Sequence, residues 1–118
     1  MWDHYKNFDL VAYLNVYYIA QVSNEDIGKD IDEFLSYAPL KKIYIENHRA
    51  GIDIPVERLR EVKKIFEDRG IKTSGGIFPN GAVDGKKKPS MLDSFCYSDE
   101  AHKAYMMGRI EDLASVFD

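Results

Sequence analysis

Apolar and polar positions along the chain change period several times, and the changes mark out its elements. From Asp9 to Ala20 the chain is rich in Val, Tyr and Ile and reads as a long strand. Ser23 then stands as an N-cap with Glu25 and Asp26 in the first turn, and Ile27, Ile31, Phe34 and Leu35 recur at helical spacing up to Pro39. Lys41 to Arg49 reads as a second strand, followed by a short loop at Gly51 and Asp53. Pro55 suits a first helical position, and Val56, Leu59, Val62 and Phe66, with Ile65 at the edge, form the next apolar stripe. Gly70 is placed to stop that helix, and a third strand runs from Ile71 to Ile77.

The rhythm breaks at 78–94, where Pro79, Asn80, Gly81, Asp84, Gly85 and Pro89 are all turn formers. A connection of that length is a lid, an insertion or a long loop. Phe95, Cys96 and Tyr97 follow as a short apolar stop. Ser98 is the expected cap of a last helix striped by Met106, Ile110, Leu113 and Phe117. Three strand-helix alternations predict an α/β fold of consecutive βα units around a parallel sheet, in one domain spanning residues 1–118. Two architectures satisfy this pattern: the opening of a (β/α)8 barrel, with strands in sequence order, or a doubly wound sheet, in which the order switches.

Composition narrows the classes. An apolar content of 45% with 13% aromatic residues fits an ordered globular chain. The net charge of −4 gives no basic face for nucleic acid, and the run Lys86, Lys87, Lys88 reads as a solvated loop tip. Cys96 is the single cysteine, so the chain forms no internal disulfide; it is expected to be a small buried hydrophobe. Neither a signal peptide nor a membrane span is legible, and the expected location is cytoplasmic.

The chemistry concentrates in the second strand. Alternation places Ile43, Ile45 and Asn47 on one face and Tyr44, Glu46 and His48 on the other. A row of Tyr, Glu and His does not suit a dry core, because a buried carboxylate is costly unless paired. That face is expected to line a polar cavity at the carboxyl end of the strands, with Glu46 near Asn15 or Tyr17 and near Gly75 or Gly76. Asn15, inside the first strand, wants a partner such as Glu46. Tyr17 and Tyr18 end the first strand, where one can offer its aromatic face to a ligand or both can pack in the core, and the glycines can let a ligand approach. The plainer reading pairs Glu46 with Arg49 or a neighbouring lysine. Glu46 and His48 lack a third ligand, so no metal is assigned. No cofactor motif is present: there is no G-x-G-x-x-G and no P-loop.

Phe8, Asp9, Leu10, Val11, Ala12 and Tyr13, then Ile43, Tyr44, Ile45 and Glu46 with Arg49, carry a more specific signal. Gly70, Ile71, Lys72, Thr73, Ser74, Gly75 and Gly76, and Phe95, Cys96, Tyr97, Ser98 and Asp99, extend it. With these stretches the chain resembles the N-terminal portion of a largely uncharacterised bacterial family of glycoside-hydrolase-like (β/α)8 barrels. The resemblance implies a carbohydrate-type ligand, a catalytic role for Glu46, and substrate contacts from Asn15, Tyr17, Tyr44, His48, Arg49, Gly75 and Gly76. Barrels take about 250 residues, so the chain is expected to be a fragment, inactive alone, completed by the missing barrel half or by homo-oligomerisation. The alternative is a standalone α/β module for ligand binding or protein interaction.

Overall fold

The computed structural model describes residues 6–80 and 95–117. Strand β1 (Leu10–Leu14) leads into a short helix α1 (Val16–Gln21) and a longer helix α2 (Asn24–Tyr37). Strand β2 (Leu40–Glu46) is followed by a small hairpin, β3 (His48–Arg49) and β4 (Ile52–Asp53). Helix α3 (Val56–Glu67), strand β5 (Lys72–Gly76) and helix α4 (Glu100–Val116) complete the order. Strands β1, β2 and β5 form one parallel sheet in that spatial order. Their sequential arrangement is the one expected of consecutive βα units.

One sheet face carries the core. Ile43 and Ile45 of β2 are buried with Ile27 of α2, Leu59, Val62 and Phe66 of α3, and Phe117 after α4. α3 also braces its neighbours: Arg58 donates to the carbonyls of Ile19 and Val22 at the end of α1, and Lys63 to that of Val116 at the end of α4. These cations satisfy carbonyls that a helix end leaves without partners. On the opposite sheet face, Val11 is 49% exposed, Tyr13 47% and Tyr44 36%. Parallel sheets rarely leave a face in water, and this one is open.

Several elements depart from expectation. The first strand stops at Leu14, not Ala20, because the Asn15 side chain accepts the Tyr18 N–H at 3.1 Å and caps α1. A local cap thus outweighs the strand preference of Val16, Tyr17 and Ile19. The second strand ends at Glu46. Asn47 leaves the strand, giving its N–H to the Gly76 carbonyl at 3.0 Å and accepting the Ile54 N–H at 2.8 Å. The loop read at Gly51 and Asp53 is instead a hairpin, turned by Ala50 and Gly51 with φ of 49° and 81°, as a two-residue connection requires. The third strand is shorter than read, spanning Lys72–Gly76. Asp99, rather than Ser98, caps α4 by accepting the Ala101 and His102 N–H groups. Ile110, placed in the last apolar stripe, is exposed. Cys96 is also exposed, because Phe95 beside it takes the buried place. Most of the 78–94 loop, with its lysine run, lies outside the described residues.

Candidate functional site

At the carboxyl end of the sheet, Glu46 is 0% exposed yet richly partnered. Tyr13 Oη donates to Oε1 at 2.8 Å, and the Val16 N–H donates to Oε2 at 2.9 Å. Arg49 Nε lies 3.0 Å from both carboxylate oxygens, and its Nη2 lies 2.9 Å from Oε1. The carboxylate therefore gathers β1, the start of α1 and the hairpin at one point. Charge-assisted bonds to both oxygens offset the desolvation that a buried charge would otherwise suffer.

Arg49 also lays its guanidinium over Phe78, 4.4 Å from the ring centroid. Its own pKa is held above the ordinary value, first by the hydrogen bonds to Glu46, with partial burial opposing. Tyr13 lies across the sheet: a Cβ on Gly76 would fall 2.8 Å from its Cε2 atom. Burial, then the bond to Glu46, raises the pKa of the Tyr13 hydroxyl, so it remains a proton donor. Tyr44 faces Tyr13 from the adjacent strand position. Two partly exposed aromatic rings thus stand side by side next to a buried ion pair.

The expected site residues separate into groups. Glu46, Arg49, Tyr44 and Gly76 gather here. Asn15 does not bond Glu46, because its side chain caps α1; its neighbour Val16 makes that contact through the backbone. Tyr17 sits on α1, partly exposed, rather than on a strand. Gly75 faces α4, where a Cβ would lie 2.9 Å from Leu113 and 3.2 Å from Phe117; it admits a helix on that side.

His48 belongs to a second cluster. It is 1% exposed, with Nδ1 2.6 Å from Asp53 Oδ1 and Nε2 2.8 Å from the Asn80 carbonyl. Phe95 and Tyr105 flank its ring, Tyr105 donates its hydroxyl to Asp53, and Arg109 Nη1 lies 3.8 Å from Asp53. Both ring nitrogens face oxygen atoms, an arrangement that favours the doubly protonated ring. Burial opposes that charge, but the contacts with Asp53 and the Asn80 carbonyl outweigh it and raise the His48 pKa. Strand alternation missed this cluster, since the chain turns at Asn47. The available signal was His48 and Asp53 flanking Ala50–Gly51, which a hairpin would bring opposite one another. Tyr13 was missed for a related reason: it entered as part of a motif, although its alternation with Val11 already put it on the sheet's open face.

Among the described residues, no group of three or more His, Cys, Asp and Glu side chains gathers as a metal site. Nor is any helix among them long and apolar enough to cross a membrane.

At the carboxyl end of the parallel βα sheet a bonded carboxylate thus stands beside two tyrosines on neighbouring strands. The family model described as "probable glycosyl hydrolase, catalytic domain" matches residues 1–118, and the chain belongs to that family. It is also 30% identical over 115 residues to an uncharacterised protein of the archaeon Saccharolobus solfataricus. That alignment covers 96% of this chain and 19% of the relative, so the chain spans about one fifth of the relative's length. No solved structure matches the chain.

Proposed function

We propose that this chain forms the opening βα units of a carbohydrate-active (β/α)8 barrel and supplies one wall of its sugar site. The single observation that carries the reading is the Glu46–Arg49–Tyr13 unit beside Tyr44 at the carboxyl ends of parallel strands. Those strand ends are where such folds bind ligands. Tyrosine rings offer an apolar face to a sugar's C–H surface and a hydroxyl to its polar rim.

Within that site the geometry favours positioning for Glu46 over acid-base chemistry. Its two oxygens already receive bonds from Tyr13, Val16 and Arg49, and it has no exposed surface for a substrate to reach. Glu46 fixes Arg49 and Tyr13, and those two, with Tyr44, meet the sugar. Glycoside hydrolysis usually takes two carboxylates flanking the bond. In this reading both are supplied by the remainder of a longer polypeptide, and the isolated domain binds without turning over. The open face would be covered there by further strands, or in the isolated domain by a second copy.

Calorimetric titration with neutral oligosaccharides tests this. Saturable binding that Tyr44→Ala weakens about tenfold, a loss of about 1.4 kcal/mol, is the expected result. Heats no different from dilution across a panel of gluco-, manno-, galacto- and xylo-oligosaccharides would contradict it. So would sustained hydrolysis of aryl glycosides by the purified chain.

A further inference from the structure

The opposite end of the sheet holds a feature that the sugar site does not use. A cleft of about 570 Å3 is lined by Asp9, Val11, Lys41, Lys42, Gly70 and Lys72. Lys42 and Lys72 are direct partners on adjacent parallel strands, β2 and β5. Like charges in that relation repel and destabilise a sheet. Among the described residues, Lys29, Lys63, Lys64 and Lys103 each have a carboxylate within 4 Å. Lys41, Lys42 and Lys72 show no such ion pair among the described residues; the one described contact of Lys42 Nζ is with the Tyr44 ring, 4.8 Å from its centroid.

The strand register also shifts at these lysines. Leu10 pairs with Leu40, and Val11 with Lys42, so the register slips by one residue and Lys41 is the extra one. Such a bulge breaks the alternation of faces and re-aims a side chain. Here it turns Leu40 into the core while Lys42 keeps the face of Tyr44, and two consecutive lysines line one cleft. Three ammonium groups against the one carboxylate of Asp9 leave an excess of two positive charges. A phosphoryl group near neutral pH carries close to two negative charges and three acceptor oxygens.

We propose that this cleft is an anion site for a phosphoryl dianion, held by Lys41, Lys42 and Lys72. Lysine is suited to phosphate as a mobile point charge. The cleft lies at the amino ends of the strands and meets the proposed sugar site only through Lys42, whose Nζ lies over the Tyr44 ring, so Lys72, which is apart from that ring contact, is the residue that tests it.

Inorganic phosphate is the probe, titrated at about pH 8, where it is mainly the dianion, and followed through backbone amide resonances at constant ionic strength. Saturable shifts at Lys41, Lys42 and Lys72 are expected. Lys72→Gln should weaken binding about tenfold, whereas Lys72→Arg, which keeps the charge, should retain it. Neutralisation should leave the fold intact, since Lys72 is exposed, and relief of the repulsion with Lys42 should raise the melting temperature in phosphate-free, low-salt buffer. Shifts that grow linearly and are matched by chloride would mean charge screening only and would overturn the proposal. Binding unchanged in Lys72→Gln would overturn it as well.

Discussion

Arg49 and Glu46, three residues apart, are joined across the end of a strand rather than along a helix. Arg49 Nε lies 3.0 Å from each carboxylate oxygen, and the pair buries Glu46 completely while leaving the arginine side chain 18% exposed. The asymmetry sets the outcome of mutation. Removing the arginine leaves a buried carboxylate with one hydroxyl and one N–H for company. Arg49→Ala should cost about 3 kcal/mol, the low end for breaking a buried pair, measured by denaturant unfolding. Glu46→Gln should also lower the melting temperature markedly, because Arg49 then loses its charge partner.

Gly76→Ala should act on the same network from the other side. Its new Cβ would fall 2.8 Å from Tyr13 Cε2, and the ring must swing off Glu46 to make room. Overpacking of this kind costs about 1–3 kcal/mol. The Tyr13 ring resonances should shift in the variant, as well as its stability.

The His48–Asp53 pair makes stability depend on pH in both directions. The His48 pKa is raised above its ordinary 6.5 in the folded state. Its contribution is complete below the unfolded value and is lost as pH rises through the folded one. Asp53 is lowered below 3.8: burial opposes the charge, but the bonds from His48 and Tyr105 prevail. Its contribution is present above the unfolded value and lost as pH falls through the folded one. The pair therefore stabilises most between those limits. Asp53→Asn should bring the His48 midpoint, followed by imidazole NMR, down to or below 6.5.

The exposed sheet face gives a further expectation. Val11, Tyr13 and Tyr44 present apolar surface, and among the described residues β1 and β5 are the edges of the sheet. Sedimentation velocity should show reversible self-association at micromolar concentration. A concentration-independent monomer would count against it.

What the sequence disclosed depended on how local the determinant was. The Ser23 cap, the Leu59–Val62–Phe66 stripe and the Gly70 stop are each set within a turn or two, and all three were legible. The strand order β1-β2-β5 also followed, because repeated βα units leave few topologies. The Asn15 cap was harder. Val16 to Ala20 favours a strand locally, and the carboxylate that receives the Val16 N–H comes from 30 residues away. Asn47 likewise looked like one more alternating position. Its side chain donates to the Arg109 carbonyl at 2.8 Å, 62 residues distant, and no spacing rule reports that. The consequence was to place His48 with Glu46, when the turn at Asn47 sends it to Asp53 and Tyr105.

The central claim is that Tyr13, Tyr44 and Arg49 form a sugar-facing surface that Glu46 holds in position. It is tested most directly by adding a neutral oligosaccharide to isotopically labelled protein and following the Tyr13 and Tyr44 rings and the Arg49 Nε–H. The account predicts saturable shifts at all three. In Glu46→Gln, assayed well below its melting temperature, binding should weaken even though the substituted residue touches no ligand. Saturable shifts confined to the His48–Tyr105 cluster, with Tyr13, Tyr44 and Arg49 unmoved, would contradict it.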